Sequence, residues 1–313
     1  MRSGGNILRG RQQGILALVA VWALSSGTAT AATLDSLPTA PERYVVEQWT
    51  TRDGLPQNSV TDILQDREGY LWITTFGGLA RYDGRTFRIF DMDSEAGLDV
   101  ARFMSIFEDA SGALWLGGER GRVLRFEEGH FEDVDVPGGV GGSPIIGFAQ
   151  QADGTVWAAT KAGPVRWHDG EPTVVELPAG AQDRGVRSIL VDAEDRVWAG
   201  IEGGPVCISG DCLTAPPLVE GLGAAHALAR HLEFGLLSLS WEGLAAGTVP
   251  GEGWLAEAKD AGWAGGVFHE PRTGRIWFTA YDSVYVGKPG AFERVELSTG
   301  KYHIRALLLD RAG

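Results

Sequence analysis

A tryptophan placed just after a glycine turn recurs along the chain at intervals of about forty residues. The pattern reads Asp66-Arg-Glu-Gly69-Tyr-Leu-Trp72, then Asp109-Ala-Ser-Gly112-Ala-Leu-Trp115. It returns as Gly154-Thr-Val-Trp157, Asp195-Arg-Val-Trp198 and Gly274-Arg-Ile-Trp277. Successive tryptophans lie 43, 42 and 41 residues apart, and then 79. The long gap divides near Ser238, where Gly235-Leu-Leu-Ser238 keeps the glycine and loses the tryptophan, so a degenerate repeat fills it. Residues 87–98 also echo residues 44–55 at an offset of 43.

Each period divides into short extended segments. In the first, Val60–Gln65 alternates like an inner strand and Asp66–Gly69 is a turn. Leu71–Thr75, Gly78–Tyr82 and Thr86–Phe90 follow, with Asp83-Gly84 as a hairpin turn between the last two. In the fourth repeat Asp195 takes the turn glycine's place, a residue that tolerates the left-handed region. One four-stranded meander cannot bury its own faces, so neighbours must stack around a ring. The expected fold is therefore all-β, a β-propeller of four-stranded antiparallel blades, about seven in number. Trp72, Trp115, Trp157, Trp198 and Trp277 are expected between blades as structural core. The 45 glycines, without a three-residue period, suit a chain of many tight turns.

Residues 1–31 have the layout of a secretory signal peptide. Arg2, Arg9 and Arg11 precede the apolar run Gly14–Leu24, and Ala29-Thr-Ala31 offers a cleavage site. Eleven apolar residues are short for a bilayer span, which needs about 20. Export then leads to the periplasm in a bacterial chain. Residues 32–53 are expected to carry a ring-closing strand near Tyr44–Thr51, and 54–313 six blades and the start of a seventh. The final Asp310-Arg-Ala-Gly313 repeats the turn motif, which puts the next tryptophan at position 316; a chain cut inside a blade is the expectation. With 27 basic and 41 acidic residues the net charge is −14, which disfavours nucleic acid as a partner. Cys207 and Cys212 bracket a Gly-Asp turn and could bridge in an oxidising compartment; two unpaired thiols are the alternative.

The stretch Asp53-Gly-Leu-Pro-Gln-Asn-Ser-Val60, followed by Asp66-Arg-Glu-Gly-Tyr-Leu-Trp-Ile-Thr-Thr-Phe-Gly-Gly-Leu-Ala-Arg-Tyr-Asp-Gly84, resembles the two-component regulator propeller family. The likeness is close in the first repeat, good in the second and looser in the third to sixth. It implies the extracytoplasmic sensor of a membrane receptor, anchored in the inner membrane and working as a homodimer. Its cytoplasmic output would be a histidine kinase or a diguanylate cyclase, outside these residues. The chain itself is then no enzyme. It would recognise a small extracellular ligand or a periplasmic partner.

No nucleophile elbow, phosphate loop, dinucleotide fingerprint or cofactor motif occurs, so no cofactor is expected. His226 and His231 are five apart, off one strand face, and read as ordinary placements and not as metal ligands. Asp91–Gly97 has a calcium-like acidic stagger, but its glycine is one place late and no closing glutamate follows. Binding groups are expected on the rim where loops lead into inner strands and join second to third strands. Side chains there able to stack or hydrogen-bond are Arg52, Gln57, Asn58, Phe76, Glu119, Arg120, Lys161, Glu202 and Tyr281. Their mix of amides and aromatics suits polar ligands such as sugars. The rival readings are a secreted propeller lyase or hydrolase acting on glycans, and an exported interaction scaffold.

Overall fold

The computed structural model describes residues 5–10, 14–20, 45–91, 98, 102–140, 142–182, 184–210, 212, 223–232, 235–241, 243–246, 254–257, 265–280, 283–288, 291–295 and 304–309. Among these the chain forms seven antiparallel sheets, six of four strands and one of three. Blade one is the meander Val60–Gln65, Leu71–Thr75, Gly78–Tyr82 and Phe87–Phe90. Blade two repeats it from Phe103–Glu108 to His130–Val134, and blade three from Ile145–Gln150 to Glu171–Val174. Blade four has three described strands, Ser188–Val191, Val197–Ile201 and Gly204–Ser209. Blade five starts at Ala227–His231 and has Gly235–Ser240 as second strand; blade six starts at Val267–Glu270. The degenerate repeat is thus a complete four-stranded sheet.

Each inner strand neighbours the next, and Ile304–Leu309 contacts Val60–Gln65, so the ring closes. The closing sheet has the order Ile304–Leu309, Gly14–Ala20, Gly5–Gly10, Val45–Trp49. Segments expected in a removable leader therefore stand as its two middle strands. The backbone reason is plain: without them, strands 304–309 and 45–49 would have no partners across the sheet for their inner amides and carbonyls.

The repeat tryptophans are 0–7% exposed. Trp72 packs with Phe103, Leu116 and Leu124 of blade two, and Trp115 with Val156 and Val165 of blade three. They fill the space between blades, where each large aromatic removes most apolar area from water. Each indole also donates into the turn before it. Trp72 Nε1 donates to Asp66 Oδ2 at 2.7 Å, Trp115 to Asp109 at 2.8 Å and Trp198 to Asp192 at 2.7 Å. Gln151 serves Trp157 at 2.8 Å, and Glu270 serves Trp277 at 3.1 Å. The same acids cap their turns: Asp66 Oδ1 accepts the amides of Glu68 and Tyr70. Asp195 has a φ of 61°, the conformation glycine adopts in the sister turns.

Neighbouring inner strands are sewn together by hydroxyls. Thr61 Oγ1 donates to Phe103 O at 2.8 Å, Ser105 to Ile145 O at 2.8 Å and Ser188 to Ala225 O at 2.8 Å. The close approach leaves no room on the second strand beneath. A Cβ on Gly200 would lie 2.1 Å from Ser188 Oγ and 2.4 Å from Ala225 O.

Cys207, in the third strand of blade four, is bridged to Cys212 just beyond that strand, with Cα atoms 5.6 Å apart. Of the calcium-like stagger Asp91–Gly97, residues 92–97 lie outside the described residues.

Candidate functional site

The antiparallel meander puts two kinds of loop on one rim, those leading into inner strands and those joining second to third strands. The first residue of the latter loop is equivalent from blade to blade. Thr75, Thr160 and Ser240 precede it, each donating its hydroxyl to the carbonyl of the strand residue three places on. The series it defines is Phe76, Glu119, Lys161, Glu202, Trp241 and Tyr281. Tyr281 lies outside the described residues.

Around blades one, two and seven the rim is a cation–aromatic cluster. The guanidinium of Arg102 lies 4.3 Å from the Phe76 ring centroid, and that of Arg305 5.6 Å. Both nitrogens Nε and Nη2 of Arg102 donate to the Glu119 carboxylate. That pairing holds Glu119 below the usual carboxylate range and raises Arg102. Burial lowers Arg305. Gln57 lies over Gly77, where a Cβ would sit 2.9 Å from its own, and its Oε1 is buried with no partner among the described residues. Asn58 Oδ1 accepts the Thr51 amide at 2.8 Å, a loop-shaping bond. Gln57, Phe76 and Glu119 are thus brought together. Arg52, Arg120, Lys161 and Glu202 are exposed, and of these Arg120 adds its charge beside Glu119.

A second cluster lies on the same rim at blades four and five. Trp241 stacks on His226, with centroids 5.0 Å apart and planes at 16°, and stays 46% exposed. Burial, aided by the charge of Arg187, pushes His226 down to about 4. Arg187 and His226 lead into the inner strands of blades four and five, each held by a backbone bond to the second strand. The sequence reading passed over Trp241 because blade five lacks its repeat tryptophan; its place after Ser240 matches that of Phe76 after Thr75 and was available as a signal. Arg102 and Arg187 stand just before inner strands, where the same loop signal applies, whereas Arg305 lies within the strand Ile304–Leu309 and carries none.

On the opposite face a cavity of about 730 Å³ opens between the inner strands of blades two to four, floored by Phe107 and Phe148. Its polar groups already bind one another: Glu108 accepts from Arg67, and Gln150 bonds Ala110 and Gly154. His231 lies against His269 on that face, centroids 4.1 Å apart, far along the strand from His226.

Residues 54–77 match the family described as two component regulator propeller. That segment is the loop leading into blade one, its first two strands and the start of the next loop, so the repeat that the sequence resembles falls on a blade. Over 66 residues, 21% of this chain, there is 41% identity to histidine kinase P4 of Formosa agariphila. The matched segment spans 5% of that kinase. Among solved structures, a streptogramin B lyase aligns with a TM-score of 0.60 at 15% identity, covering 81% of this chain and 88% of the lyase. An extracellular domain assigned to a hybrid two component system of B. thetaiotaomicron aligns over 97% of this chain and 42% of that one, at 15% identity and a TM-score of 0.48. The lyase likeness shows the propeller fold alone.

Proposed function

We propose that this chain is the ligand-sensing propeller of a two-component-type membrane receptor, acting outside the cytoplasm with no chemistry of its own. The observation that carries the reading is the two component regulator propeller match on blade one. The histidine kinase relative supports a kinase as the parent's output. The leader-like residues 1–31 support export, to the periplasm in a bacterial chain. The rim gathers the polar and aromatic side chains that a small ligand needs, on loops held by a rigid ring. Signalling then follows from differential affinity: a ligand that favours one arrangement of two receptor copies shifts the pair toward it.

The test is autophosphorylation by the full-length gene product in membrane vesicles, with and without residues 54–313. The expected result is that extracts of the host's growth medium change the rate for the intact receptor only. Equal responses in both forms, or a gene product with no phosphotransfer, would overturn the reading.

A further inference from the structure

We propose that Arg187, His226 and Trp241 form a subsite for a small carboxylate that carries a flat or ring-shaped face. The inference rests on the sensor reading and gives its site a chemistry. Stacking on His226 fixes the Trp241 indole, yet nearly half of it remains exposed, unlike the buried repeat tryptophans. An exposed aromatic already held in place offers a stacking surface with little ordering left to lose. On the stacked His226 and on Arg187, its neighbour across the blade boundary, two buried nitrogens, His226 Nε2 and Arg187 Nε, have no hydrogen-bond partner among the described residues. Arg187 makes no ion pair among the described residues either. Buried polar nitrogens are nearly always satisfied, so two orphans from adjacent blades beside one exposed indole point to an acceptor that comes from outside.

A carboxylate fits this pair. It has two acceptor oxygens, one for the Arg187 Nε–H and one for His226 in the tautomer protonated on Nε2. With His226 neutral, Arg187 supplies the cationic charge of the pair, which matches a single negative charge. The chain's net charge of −14 gives no long-range attraction to anions, so recognition has to be local. An aromatic acid and an acidic sugar share the required chemistry, a ring face with a carboxylate at its edge.

The experiment is calorimetric titration of the whole chain with benzoate and with glucuronate, against benzyl alcohol and glucose as neutral counterparts. The expected result is that one acid or both bind while the matching neutral compound does not. Benzoate alone would identify an aromatic acid, and glucuronate alone an acidic sugar. Arg187→Gln and Trp241→Ala should each weaken binding tenfold or more, while Trp241→Phe keeps it within a few-fold. Circular dichroism of each variant separates lost binding from lost fold. The proposal is overturned if neither acid binds, if the neutral compounds bind equally, or if folded R187Q and W241A bind as the parent does. Vesicle autophosphorylation that still responds to growth-medium extracts in R187Q and W241A receptors would overturn this subsite while leaving the sensor reading standing.

Discussion

Five buried indoles donate to a side-chain acceptor in the turn that precedes them, and four of the five acceptors are carboxylates. Asp192 shows how much rests on one such group. Burial tends to raise its carboxyl, but bonds from the Trp198 indole, the Arg196 amide and the Arg196 side chain outweigh this and lower it. Blade five makes the point by loss. Its tryptophan position, three residues before Ser240, is Leu237, and strand register puts His231 where the acid should be, so both members vanish together. Asp192→Ala should therefore cost about 1–3 kcal/mol, and the cost should shrink when Trp198 is already phenylalanine. Urea denaturation of the double-mutant cycle reads this; additive losses would deny the coupling. A second residue-scale effect concerns pH. Asp62, half-buried and bonded to the amides of Ile63 and Ile106, is pushed up to about 6, mainly by burial. Between about pH 6 and 4 the folded chain then holds a proton on Asp62 that the unfolded chain releases, which adds stability as pH falls. His226 does the opposite, because over that range only the unfolded chain protonates it. Asp62→Asn removes the first effect and keeps the second. The variant should lose melting temperature relative to the parent between pH 7 and pH 5; a constant difference across that range would contradict the assignment.

At the scale of the blade, turn acids and strand hydroxyls decide how closely sheets pack. Ser188 lies directly over Gly200, whereas the equivalent pair in blade three is Gly147 opposite Ala159. In blades two, three and four one member of the pair is a glycine. Gly200→Ala should destabilise the protein by about 1–3 kcal/mol or more, since the Ala225 carbonyl is backbone and cannot swing aside. Chemical denaturation checks it, and an unchanged midpoint would show that blades four and five are looser than described. The strands of blade one were legible in the sequence almost residue by residue, because alternation and turn glycines are local signals. The Trp–acid bond was equally local, six residues apart in three repeats, yet it takes a structure to see that the acid does more than start a turn. The rim was half legible. Loop position marked Phe76, Gln57 and Glu119, but the cations over Phe76, Arg102 and Arg305, come from blades two and seven, and the loss of one tryptophan hid Trp241.

For the molecule as a whole, the ring and the leader are in tension. Residues 5–10 and 14–20 complete the closing sheet between strands 304–309 and 45–49, while the same residues have the composition of a cleavable export signal. One copy of the leader cannot do both. If it stays in the sheet, a chain lacking residues 1–31 should melt several degrees lower than the full chain, since two strands of a seven-sheet ring are gone. Matching melting curves would mean that the fold does not depend on the leader. The sensor account requires the other fate, passage out of the cytoplasm. Alkaline phosphatase fused after Gly313 and expressed in a bacterial host measures that passage directly, because the enzyme needs disulfides that form only in an oxidising compartment. The account predicts strong phosphatase activity that disappears when Gly14–Leu24 is deleted. An inactive fusion, with the chain intact and in the cytoplasm, would contradict it.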